Sequence, residues 1–175
     1  MAAPLFAVVG EIEEHVAEAG WDQPPQLFAL VDTEELLRAE PQLAKTMGLV
    51  AAVPGTLTPV QQEDLADVPL DEALAAIEFG PEVLGVVLAH EVLVLPPSAE
   101  AELADGADVT QHPAAREVRM VVGVVRDGSR ECVLRLRAPE GEEDDRLSGT
   151  DLAPALADAL LATLDAGPNQ GQLRR

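Results

Sequence analysis

The 175-residue chain has no tyrosine, one tryptophan, three phenylalanines, one cysteine and a single lysine, Lys45. The lone Cys132 excludes an intramolecular disulfide and suits a reducing cytoplasm. Cations are scarce. Eleven Lys+Arg face 32 Asp+Glu, for a net charge of -21. Nucleic acid and anionic membrane both require clustered cations, so neither is an expected partner. No apolar run reaches the roughly 18 residues of a membrane span. The longest, Val83 to Leu95, is interrupted by His90 and Glu91. No basic residue precedes the apolar start, and Glu11, Glu13 and Glu14 follow at once, unlike a secretory signal.

Catalytic signatures are missing as well. The only serines are Ser98, Ser129 and Ser148, none of them in a G-x-S-x-G elbow. There is no G-x-x-x-x-G-K-[ST] and no G-x-G-x-x-G, the usual backbone cradles for phosphate. Glu11, His15 and Glu18 share a helical face, which reads as a solvated polar face rather than a ligand set. Glu14-His15 does not meet the E-x-x-H spacing, because Ile12 stands where the carboxylate belongs. His90 and Glu91 are adjacent in a strand and point to opposite faces, so they cannot chelate together. His90 is expected to be buried and hydrogen-bonded, and an inward Glu91 would need a partner. His112, before Pro113, reads as an exposed loop residue. No metal site and no cofactor are expected.

What the chain does contain is apolar aliphatic sequence. Hydrophobic residues make up 47%, enough for a Leu/Val/Ala core in one α+β domain over residues 1–167, with 168–175 a flexible tail. Leu5, Val8, Val9, Ile12, Val16 and Ala19 fall at helical spacing over residues 4–19, and Gly20 stops the helix. Gln26 to Val31 reads as a short buried strand at a sheet edge. Asp32-Thr33-Glu34-Glu35 is a capping box opening a helix that breaks near Pro41, resumes, and ends at Gly48. Thr58-Pro59-Val60-Gln61 places a cap and a proline where a short helix begins. A helical face follows from Leu70 to Phe79. Val83 to Leu95 suits a central strand, and residues 98–115 a loop.

A hairpin turns at Asp127-Gly128, and pattern decides its register. A two-residue loop mixes polar and apolar residues on both faces. A three-residue Arg126-Asp127-Gly128 loop pairs Val118 with Leu136, Met120 with Leu134 and Val122 with Cys132, making one face wholly apolar. Cys132 then lies on that face as an inert thiol. An acidic linker, Glu140 to Asp145, leads to a last helix capped by Thr150 or Asp151, with Leu152, Leu156, Leu160 and Leu164 along one side. The first and last helices are both expected on one face of a small antiparallel sheet. Small acidic domains of that form are similar to secretion-chaperone folds, an analogy of fold alone.

Several segments together carry a resemblance. They are Trp21-Asp22-Gln23-Pro24-Pro25 running into Gln26 to Val31, Leu57 to Glu63, His112-Pro113 before Glu117-Val118-Arg119, and the Arg126-Asp127-Gly128 turn ahead of Cys132 and Leu134 to Arg137. Over nearly the whole chain they resemble an uncharacterised protein family of actinobacteria. Ten arginines against one lysine fit a high-GC source. The resemblance implies one compact cytoplasmic domain and assigns no activity and no functional residues.

Charge placement is the main irregularity. Residues 116–137 hold six arginines against three carboxylates, or +3, whereas residues 1–115 sum to -19 and residues 138–175 to -5. In the three-residue register Arg119 lies across from Arg135, with Glu117 opposite Arg137. Two guanidinium groups side by side destabilise a bare hairpin, so an anion belongs beside them. Internal carboxylates are one source. An external acidic partner or small anion is the other, which makes Arg119, Arg135, Arg137 and Glu117 the candidate binding residues. Two function classes follow. One is a non-enzymatic protein-interaction or regulatory module, with a protein partner or a second copy of the chain, favoured by an exposed patch of Val121, Val125 and Val133. The other is a small-anion binder or enzyme on the arginine face, with Glu91 as base.

Overall fold

The computed structural model of the protein describes residues 2–49, 55–62, 69–94, 115–139 and 141–165. The 98–115 loop except Ala115, with His112, the Glu140 end of the acidic linker, and the 168–175 tail lie outside the described residues. The chain order is α1 (Ala2–Glu18), β1 (Gln26–Asp32), α2 (Thr33–Ala39), α3 (Pro41–Thr46), β2 (Leu57–Gln61), α4 (Leu70–Ala75), β3 (Val83–Val94), β4 (Arg116–Val125), β5 (Arg130–Leu136), β6 (Asp145–Gly149) and α5 (Pro154–Asp165). The strands form one antiparallel sheet in the order β2-β1-β3-β4-β5-β6, giving an α+β fold.

Alternation along β1, β3, β4 and β5 sends apolar side chains to both faces, so each face needs its own cover. On one face Leu5, Val8, Val9, Ile12 and Val16 of α1 pack on Phe28, Leu30, Val87, Ala89, Val121, Val125 and Val133. On the other, Ala157, Leu160 and Leu164 of α5, with Leu74 of α4, cover Leu27, Ala29, Val86, Leu88, Val122, Val124 and Cys132. The first and last helices therefore lie on opposite faces, not on one, and the one-sided chaperone analogy goes with that placement. The cause is in β4, where Val121, Val122, Val124 and Val125 are all buried and no face is left for water.

The hairpin has the three-residue loop. Val118 pairs with Leu136, Met120 with Leu134 and Val122 with Cys132. Gly128 supplies φ +92°, a left-handed conformation that glycine adopts without a Cβ penalty. Gly123 matters for a different reason. A Cβ there would meet Val9 Cγ2 at 2.5 Å, so its bare backbone is what lets α1 approach the sheet.

Other elements depart from the expected pattern. Thr58 to Gln61 is not a helix but part of β2, which pairs with β1 and displaces β1 from the edge. Thr33 Oγ1 lies 2.7 Å from the buried Thr58 Oγ1, and Pro59, lacking an N–H, is tolerated because β2 is the outermost strand. Asp32 caps α2 by accepting from the Glu35 amide, while the Glu35 carboxylate turns to Arg38 instead of closing the box. The linker's final Asp145 opens a sixth strand, and α5 starts only at Pro154, leaving Leu152 outside it. Among the described residues no helix is long and apolar enough to cross a membrane.

Candidate functional site

One row across the sheet gathers the predicted charges. Glu91 of β3 stands beside Arg119 of β4, Arg119 beside Arg135 of β5, and Arg135 beside Arg146 of β6. All belong to the α1 face, past the end of the apolar core. Three guanidinium groups in succession demand carboxylates, and two elements deliver them.

Glu13 of α1 comes down between Arg135 and Arg146. Its side chain is 0% exposed. Arg135 donates to it from Nε at 2.6 Å and from Nη2 at 2.7 Å, a bidentate fork, and Arg146 Nε lies 2.9 Å from Oε1. The Glu13 contact raises the Arg135 pKa further, so this guanidinium stays charged. Glu91 takes the other end. Arg119 Nη2 donates to it at 3.0 Å, and the backbone amides of Asp22 and Gln23 donate at 2.9 and 3.2 Å. The partner that Glu91 needed is thus a guanidinium plus two amides.

The bend after α1 makes this possible. Gly20 (φ +85°) and Asp22 (φ +67°) are both left-handed, and Gln23 Nε2 donates to the Val16 and Gly20 carbonyls, holding the helix end. Arg119, 1% exposed, also donates to the Gly20 carbonyl and lies 4.6 Å from the Trp21 ring centre. Arg137 sits 5.5 Å from the same ring. Trp21 is therefore flanked by two guanidinium groups, a cation–π arrangement, and its Nε1 donates to Asp144 at 3.2 Å. Arg137 contacts Glu117 at 2.6 Å and Asp22 at 3.5 Å, and the Glu117 contact raises its pKa.

The structure brings Arg119, Arg135, Arg137 and Glu117 together, each with a protein partner. The remaining hairpin arginines are engaged too. Arg116 donates to the Arg137 carbonyl and Arg130 meets Asp158 at 3.1 Å. Arg126 donates to the carbonyls of Val83, Leu164, Phe79 and Gly80, tying down the end of α5. Oxygens of Asp22, Glu91 and Glu117 lie within 4.8 Å of one another, a spacing fit for a hard cation, but Arg119 and Arg137 already stand among them. An exposed patch of Val121, Val125 and Val133, which would favour an interaction module, is absent, because α1 buries all three.

Glu13, Trp21 and Arg146 were not singled out by sequence. Glu13 carried a signal, since it falls on the α1 stripe between Val9 and Val16. A carboxylate on an apolar stripe implies a buried cation, which the hairpin could supply. Trp21 and Arg146 carried no comparable signal.

His15 is exposed with Glu11 and Glu18. His90 is half-buried, and its Nε2 makes no hydrogen bond among the described residues, unlike the bonded histidine expected. Burial lowers its pKa, keeping the ring neutral. Beyond the row, Arg116, Arg137, Glu117, Glu142, Glu143 and Asp145 help line an open cavity of about 830 Å³, in which carboxylates outnumber arginines.

Neither a curated protein nor a solved structure matches the chain significantly. Over residues 5–165 it matches the model of an uncharacterised family described as PPA1309-like protein, and the chain belongs to that family.

Proposed function

We propose that the chain is a non-enzymatic interaction or regulatory module, acting in an actinobacterial cytoplasm as one domain over residues 1–167 with a short tail after it. One observation carries this reading. All six arginines of the cationic hairpin are engaged by their own chain, through carboxylates or backbone carbonyls. A substrate anion would have to displace buried, bidentate partners such as Glu13, at a desolvation cost that a small ligand does not offset. The alternative, a small-anion binder or enzyme on this face, keeps only Arg116 and Arg137 beside an acid-rich cavity.

Thermal melts with phosphate, sulfate and citrate test the choice. At about 5 mM anion, Tm should move by less than about 1 °C, because only a ligand that binds the native state raises it. The double substitution Arg119→Gln/Arg135→Gln should lower Tm sharply with or without anion. A rise of several degrees that disappears in the double variant would overturn the module reading in favour of anion binding.

A further inference from the structure

The two edges of the sheet differ. The outer strand β2 carries Pro59 at its centre, which removes a donor and guards that edge. β6, at the far side, contains no proline and pairs with β5 in unbroken register. Among the described residues no strand lies outside it. Four of its five residues are exposed, including Leu147 at 53%.

The two faces flanking this edge are chemically unlike. Arg146 and Ser148 share the α1 face, because they pair with Arg135 and Val133. There α1 overhangs β6 through Phe6, Gly10 and Glu14, four residues apart, and through Glu11, leaving a groove of about 300 Å³. Phe6 is 57% exposed, and Glu11 and Glu14 are exposed. The cation lining this groove, Arg146, is turned toward Glu13 at 2.9 Å and lies 3.8 Å from Glu14. On the other face Leu147 and Leu152 are exposed apolar residues, Leu152 lying beside Gly149. At the start of the strand, Glu142, Glu143 and Asp145 are exposed carboxylates.

We infer that β6 receives an extended segment of a partner protein as a seventh strand, a segment that alternates basic and apolar residues. This rests on the interaction-module reading. Strand addition takes its affinity from main-chain hydrogen bonds and its selectivity from alternate side chains. Basic residues of the added strand face Glu11 and Glu14, and apolar ones lie over Leu147 and Leu152. Charge decides between this occupant and a second copy of the chain. At -21 per copy, self-pairing brings like charges together, whereas a basic strand meets an acidic rim.

The probe is a blocked, fluorescently labelled nine-residue peptide alternating arginine and valine. Its controls are the same peptide N-methylated at every second amide and a glutamate-for-arginine version. Anisotropy should show saturable binding of the first alone, because N-methylation removes edge donors without changing charge. Amide exchange at Arg146 and Ser148, whose N–H groups point away from β5, should slow at least about tenfold on saturation. Glu11→Gln/Glu14→Gln, which leaves Glu13 in place, should weaken binding about fivefold, as two exposed ion pairs are lost. No binding overturns the proposal, as does equal binding of the N-methylated peptide. Protection elsewhere, or concentration-dependent self-association that protects β6 without peptide, overturns the basic strand but leaves the module reading standing. That reading fails separately, in the anion melts.

Discussion

Glu13 has no exposed surface, yet it places a carboxylate on the apolar stripe of α1 between Val9 and Val16. Taking a carboxylate out of water is costly, and only its pairing with Arg135 and Arg146 offsets that cost. Removing it takes away the carboxylate that Arg135 grips in a bidentate fork and leaves only the more distant charges of Asp144 and Glu14. Glu13→Ala should therefore destabilise by about 3 kcal/mol in urea titrations. Glu14, one residue on, is exposed and 3.8 Å from Arg146. Its Ala variant should change stability by less than about 0.5 kcal/mol. Equal effects of the two substitutions would show that the buried pairing is not what matters.

α1 and β4 meet through a missing side chain. In an ordinary strand, replacing glycine by alanine gains backbone entropy and stabilises. At Gly123 the sign reverses, because a Cβ would meet Val9 Cγ2 at 2.5 Å and Leu5 Cδ1 at 3.1 Å. Gly123→Ala should cost about 1–2 kcal/mol and Gly123→Val about 3, read from denaturation midpoints. Adding Val9→Ala to Gly123→Ala should recover part of the loss if the clash is the cause. The hairpin was legible in full, down to its bulge and register, because a period of two with one buried face leaves a single apolar solution. β6 was not. Asp-Arg-Leu-Ser-Gly has neither alternation nor β-branched residues, and it becomes a strand only because β5 offers it a ladder. β2 was misread for a related reason. Thr-Pro is as good a helix start as it is an edge strand, and β1 decides between them.

At the scale of the molecule, the residues that are missing isolate one titration. Burial, with Glu131 nearby, pushes the Cys132 thiol from 9.0 up to about 11. Because the folded pKa is raised, the stability it contributes is fully present below about pH 9 and is lost as pH rises toward 11. Tyrosine is absent and the only lysine, Lys45, is exposed, so two common contributors to alkaline unfolding are removed. Stability should fall between pH 9 and 11, and Cys132→Val should flatten that limb in pH-dependent denaturation. An unchanged limb would mean that the thiol is not the group responsible.

Composition and pattern alone determined the α+β class, the hairpin register, the central place of β3 and the need for an anion beside Arg119 and Arg135. These follow from local periodicity and from charges close in the sequence. Tertiary structure decided which carboxylates answer that need, and on which face each helix lies. Glu13 and Arg135 are 122 positions apart. No local pattern links residues that far apart, and their encounter depends on α1 crossing the sheet over Gly123. The same crossing buries the valine patch, and among the described residues β6 remains the outermost strand on its side of the sheet.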